Sequence, residues 1–200
     1  MTVLASWLAV GMGGGCHRLR STGRRPSWLQ AERGRGEGGN LVVVRFECRT
    51  DIAAPVALVF DLSLSIDAHL GSMRGFGEQA VAGVTTGQIG PDQQVTWRAR
   101  HFGIWWRMTS RIDQFQRPVL FVDEQVSGPF AAFRHEHRFH GQPRAQPATG
   151  VTQLVDLVEF RAPLGLLGRL AEILVLGWYV RHLIESRNAY LKQQAEASAT

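Results

Sequence analysis

A chain of 200 residues with 44% hydrophobic content is sized for one domain with a real core, an ordinary composition for a soluble globular protein. Its net charge of +5 is unevenly placed: Arg18, Arg20, Arg24, Arg25, Arg33 and Arg35 face only Glu32 and Glu37 in residues 1–40, which leaves 16 basic and 15 acidic residues for the remainder. The part that folds is nearly neutral, which argues against a nucleic-acid partner.

Residues 1–40 read as a disordered Gly/Arg-rich extension, and residues 41–196 as the folded domain. Val3 to Met12 is apolar, but no basic stretch precedes it, and Gly13 stands where a lipoprotein signal needs an aliphatic residue before Cys16. The segment is therefore expected to be an unstructured leader or the product of a mis-set start. Cys16 falls in this tail and Cys48 in a strand, so no disulfide framework is expected and a reducing, cytoplasmic compartment fits.

From Val42 the chain alternates, with Val42, Val44, Phe46, Cys48, Thr50 and Ile52 on one side and Arg45, Glu47, Arg49 and Asp51 on the other, the pattern of a half-buried strand. Pro55 opens a helical stretch, Val56 to Leu62, in which Val56, Val59 and Phe60 share a face, and a short helix pair should end near Gly71. Further strands are expected over 76–84, 95–102, 104–115, 119–126, 133–140 and 151–160. A hairpin turn is expected within 85–94, a bend at Gly103 and another turn at Ser127-Gly128-Pro129. Short loops between successive strands imply antiparallel pairing.

After Pro163 a long helix should run from Leu164 to about Ala195, with Leu166, Leu170, Ile173, Gly177, Val180, Ile184 and Leu191 along one face. Its first half is apolar almost all round but carries Arg169 and Glu172, and a membrane span needs about 20 residues with few charges. The expectation is a helix that closes a curved antiparallel sheet and leaves an apolar cavity between them, with no integral membrane insertion.

Within this frame the chemistry-bearing residues can be placed. His135 and His137 share a strand face with Phe133 and Phe139, so both imidazoles are expected to look into the cavity. A His-x-His pair can chelate zinc, but only His101 or a carboxylate such as Glu159 offers itself as a third ligand, and no metal or cofactor is expected. Asp123 and Glu124 point to opposite faces; Glu124, beside Leu120, Val122 and Val126, is expected inward, with an ion pair to Arg107 or Arg111 as the plain structural alternative. Asp156 lies on the face of Leu154, Val158 and Phe160. Asp67 is expected in a local turn contact, and His69 near the cavity mouth. Trp97, Trp105 and Trp106 cluster on the middle strands, but Trp105 and Trp106 must face opposite ways. No Gly-rich phosphate loop or nucleophile elbow is present.

The segments Ile52-Ala53-Ala54-Pro55 with Val59-Phe60, Asp67 and His69, Val95-Thr96-Trp97-Arg98-Ala99, Asp123-Glu124-Gln125 with Gly128-Pro129-Phe130, His135-Glu136-His137, and Asp156 through Pro163-Leu164-Gly165 resemble the SRPBCC superfamily, the START-like helix-grip proteins. Within it the chain is most similar to bacterial ligand-binding proteins described as polyketide cyclase/dehydrase-like. The resemblance covers about residues 41–195 and implies an α+β helix-grip fold. It implies binding of a small hydrophobic molecule, such as a lipid, isoprenoid or polyketide-like compound, by His69, Trp97, His101, Trp105, Arg107, Phe121, Glu124, Phe133, His135, His137, Asp156, Leu170 and Leu174. Function belongs to sites rather than folds. The competing expectation is a cyclase, aromatase or dehydratase-type enzyme moving protons with His135, His137 and Glu124. A third is a membrane- or protein-interacting regulator that uses the apolar helix and basic tail.

Overall fold

The strands form a single antiparallel sheet that curls around one helix. The computed structural model describes residues 16–18, 43–142, 150–161 and 175–199. Strands β1 (Cys16–Arg18), β2 (Val43–Ile52), β3 (Gln79–Gly83), β4 (Gln94–His101), β5 (Ile104–Gln116), β6 (Leu120–Ser127), β7 (Ala132–Gln142) and β8 (Val151–Arg161) lie in the order β1-β2-β8-β7-β6-β5-β4-β3. Between β2 and β3 come α1 (Val56–Ser63), α2 (Ile66–Ser72) and a short 3-10 turn, Arg74–Phe76; α3 (Gly177–Ser198) follows the sheet. This is the expected α+β helix-grip architecture. Leu166, Leu170, Ile173 and Leu174, expected in the closing helix, lie outside the described residues.

Local chemistry accounts for the boundaries. Pro55, extended at φ −60° and ψ 142°, stands immediately before α1, and the Ser65 hydroxyl accepts from Ala68 N at 3.1 Å to cap α2. Phe102 and Gly103 both have positive φ, at 53° and 82°, which gives the two-residue β4–β5 connection the primed twist that a tight hairpin needs. Gly83 has φ +73°, and a Cβ added there would lie 2.1 Å from the Gln94 carbonyl oxygen. Gly83→Ala is therefore expected to destabilise the β3–β4 edge by about 1–3 kcal/mol, read as a lowered urea midpoint; an unchanged midpoint would contradict the strain argument.

The tail departs from expectation at one point. Cys16–Arg18 forms an edge strand with Cys16 opposite Cys48 in register, and Cys48 is disulfide-bonded rather than free. The expectation of no disulfide is thereby overturned, and cysteine usage no longer argues for a reducing compartment. No helix among the described residues is long and apolar enough to cross a membrane.

Two apolar clusters fill the interior. One gathers Ile52, Phe60, Leu64, Phe121, Phe139, Leu154, Leu191 and Ala195; the other gathers Phe46, Val158, Phe160, Val180 and Ile184. Both engage α3, whose residues Val180, Ile184, Leu191 and Ala195 recur at helical spacing. Between the two on the same face lie Arg187 and Asn188, at 5% and 2% exposure, so the helix carries a polar belt where the sequence pattern suggested only an apolar stripe.

Candidate functional site

Cross-strand register builds the site from two rows of inward side chains. One row runs Ile112, Asp123, His135, Val158 across β5, β6, β7 and β8; the next runs Phe121, His137, Asp156 and Cys48 across β6, β7, β8 and β2. Both histidines therefore face inward with Phe133 and Phe139, as the alternation of β7 requires. The two rings are adjacent, with centroids 3.7 Å apart.

These histidines are held between two carboxylates. His135 Nε2 lies 2.8 Å from Asp156 Oδ1, and its Nδ1 lies 3.9 Å from Asp123 Oδ2. His137 Nε2 lies 3.2 Å from Asp123 Oδ2; its Nδ1 lies 2.7 Å from Asp156 Oδ1, close but out of line for a hydrogen bond. Asp156 is completely buried, and Asn188 on α3 donates to its Oδ2 at 2.6 Å. Arg187 Nη1 approaches Asp156 Oδ1 at 3.9 Å while Nη2 donates to the Ser63 carbonyl at 3.1 Å.

The electrostatics follow from this packing. Burial pushes His135 below its ordinary range, the neighbouring His137 adds to the fall, and the hydrogen bond to Asp156 opposes it. Burial alone would raise Asp156, but the hydrogen bond from His135 and the close approach of His137 hold it well below the usual carboxylate range. Asp123 is also held low, where the hydrogen bond from His137 and the charges of His135, His137 and Arg187 together outweigh the effect of burial. Burial lowers Arg187, with Asp156 and Asp123 pulling the other way.

This polar cluster sits in the wall of a cavity of about 420 Å³ between the sheet and α3. Most of the lining is apolar, including Ile66, Val95, Ala99, Ile112, Leu183 and Ile184, and His69, Trp97, His101, Phe121, Phe133, His135 and His137 also lie along it. His69 stacks on Trp97 with centroids 4.3 Å apart and lies 3.2 Å from Glu78, which also lines the cavity. His101 Nδ1 lies 2.7 Å from the Tyr179 hydroxyl, with burial lowering the imidazole and raising the phenol. Asp67 accepts from Gly87 N at 2.9 Å, a contact between segments 20 residues apart rather than the local turn expected for it.

Several expectations are corrected. Glu124 faces outward, and Asp123 is the inward carboxylate. Across the convex face the register sets Arg111, Glu124, Arg134, Glu159 and Arg45 side by side on β5, β6, β7, β8 and β2, a row of alternating charge. Glu124 pairs there with Arg134 at 3.2 Å, rather than with Arg107 or Arg111, and Glu159 with Arg45 at 2.8 Å. Burial and the charge of Asp113 raise Glu124, while Arg134 counters them. Trp105 points outward beneath the Arg98 guanidinium, 4.3 Å from its ring centroid, and Trp106 lines the cavity instead. Arg107 is exposed on β5, away from the lining. Asp156 sits behind the histidines and supports them without lining the cavity. Neither His101 nor Glu159 joins the histidine pair as a third donor; Asp123 does, within 4.8 Å.

No family model matches the sequence, and no curated protein matches it significantly. Solved structures do match. An aromatase/cyclase, Zhui, from a Streptomyces species superposes with a TM-score of 0.62 at 18% identity over 80% of this chain and 97% of its own. A Thermus thermophilus protein does so at 0.60 and 18% identity over 80% of this chain and 100% of its own. The major latex-like protein 151 of Panax ginseng matches at 0.53 with 9% identity, over 76% and 97% of the two chains. These likenesses are of fold, and the chain has a helix-grip fold.

Proposed function

We propose that the chain binds a small, mainly apolar molecule, of lipid, isoprenoid or polyketide-like chemistry, with a polar group turned toward Asp123, His135 and His137. The observation that carries this reading is a cavity of about 420 Å³ with a largely apolar lining and one polar cluster in its wall. Such a lining favours burial of flat or elongated ligands, and the few polar groups fix their orientation. Native mass spectrometry of the full chain, with extraction of whatever co-purifies, is expected to find a discrete mass that leaves on denaturation. In parallel, the fluorescent probe 1-anilinonaphthalene-8-sulfonate should bind at one saturable site. Ala99→Phe, which adds a ring to a buried lining position, should weaken that binding at least tenfold. Equal affinity in a folded variant would remove the cavity as the binding site.

A second reading is an enzyme of cyclase, aromatase or dehydratase type. The specific observation in its favour is that His135 and His137 contact Asp123 at the cavity wall and Asp156 behind it. A histidine set between a cavity and a supporting carboxylate suits proton transfer to or from a bound ring. Asp123 then takes the role first given to Glu124.

A further inference from the structure

We propose that Asp123, His135 and His137 form a site for a divalent transition-metal ion, with zinc the ordinary occupant. Each residue offers one donor atom, and the three lie within 4.8 Å of one another. Asp123 Oδ2 is 3.2 Å from His137 Nε2 and 3.9 Å from His135 Nδ1. Donors bound at about 2.1 Å in a tetrahedron stand about 3.4 Å apart, a spacing that these two distances bracket.

The surroundings give one ring the tautomer that coordination needs and set an acceptor beside the other. A neutral imidazole has one N–H and one lone pair. Asp156 Oδ1 lies 2.8 Å from His135 Nε2 and 2.7 Å from His137 Nδ1, so it is the acceptor within reach of both far nitrogens. Asn188 fixes the other oxygen of Asp156 at 2.6 Å. His135 Nε2 makes the hydrogen bond to Asp156, which turns its Nδ1 lone pair toward Asp123 Oδ2. His137 Nε2 hydrogen-bonds to Asp123 Oδ2 at 3.2 Å, and an ion seated between them takes the place of that proton, which moves to Nδ1 beside Asp156. A buried carboxylate behind each ligating histidine is also the arrangement that orients the ring and strengthens it as a donor.

The Asp123 side chain keeps 23% exposure whereas that of Asp156 has none, which leaves the Asp123 side open to water or to a polar group of a bound molecule. The inference does not depend on which apolar molecule fills the cavity.

The test is equilibrium dialysis of the full chain, stripped with chelator, against Co²⁺ alone and then Zn²⁺ alone. One Co²⁺ per chain is expected, with visible d–d absorption that Zn²⁺ bleaches. Asp123→Ala and His135→Ala should each weaken binding by about 100-fold or more, and Asp156→Asn by about 10- to 100-fold through the supporting hydrogen bonds. His140→Ala, exposed on the same strand, should bind as the parent does. Circular dichroism reports whether each variant folds. Should the buried substitutions prevent folding, the parent chain and Asp123→Ala, at the partly open position, decide the matter. Parent protein that retains no metal above the dialysis buffer overturns the proposal, as does a folded Asp123→Ala that retains its full complement.

Discussion

Asp156→Ala is expected to cost about 3–5 kcal/mol of folding stability, because removing one partner leaves an opposite buried charge uncompensated. Arg187 is only 5% exposed, and Asp156 is the carboxylate it approaches, at 3.9 Å; Asn188 would lose the nearer of its two acceptors, at 2.6 Å, and keep the Thr50 hydroxyl at 3.3 Å. Both histidines would also lose the oxygen that faces them at 2.8 and 2.7 Å. Urea unfolding followed by fluorescence and by circular dichroism measures the loss. Asp156→Asn keeps the shape and one acceptor, so it should fall between the alanine variant and the parent. A loss below about 1 kcal/mol, the worth of an exposed ion pair, would mean that the belt is solvated and contributes little.

Phe60→Ala should be comparably severe for a different reason. The ring is completely buried and meets Phe115, Phe121 and Phe139 edge-on at centroid distances of 5.6, 5.6 and 5.0 Å. Deleting such a ring removes its transfer energy and leaves a cavity that rigid neighbours do not fill, a loss of about 3–5 kcal/mol. Phe60 is not among the residues lining the ligand cavity, so folded Phe60→Ala at low temperature should still bind the fluorescent probe. A variant with parental stability would show that α1 repacks over the gap, and the core argument would fail.

The two losses arise at neighbouring layers of the same interior, and the sequence disclosed them unequally. Phe60 was legible: it follows Pro55 at helical spacing among apolar neighbours, and that pattern is sufficient to bury it. The inward histidines were legible too, since the period of two along β7 separates them from Arg134, Glu136 and Arg138. Asp123 was not read correctly, because the apolar residues around Glu124 suggested the wrong face. Val122 is indeed fully buried, yet on the convex side, so burial of a neighbour did not identify the cavity face. A usable signal was present in the hairpin. Asp123 and His135 are equidistant from Pro129, so folding the chain about that turn sets them opposite one another, as the register has it. Arg187 and Asn188 fall on the stripe formed by Val180, Ile184 and Leu191, and polar residues on a buried stripe imply a buried partner. That partner, Asp156, is distant in sequence, and only the wrapping of sheet around helix brings it near. Trp105 and Trp106 show the same limit: alternation separates them but does not say which one faces in.

The polar belt of α3 also acts as a positional key. An apolar helix on an apolar sheet can slide along its axis with little change in buried area, and many seats then compete. Here a slide of one turn, about 5.4 Å, would carry Arg187 and Asn188 off Asp156 and into the clusters around Ile184 and Leu191, leaving a charge stranded on each side of the interface. A single polar contact among apolar layers is a known way to specify one register at some cost in stability. The helix therefore has one seat, and the depth of the cavity beneath it is set by where Asn188 meets Asp156.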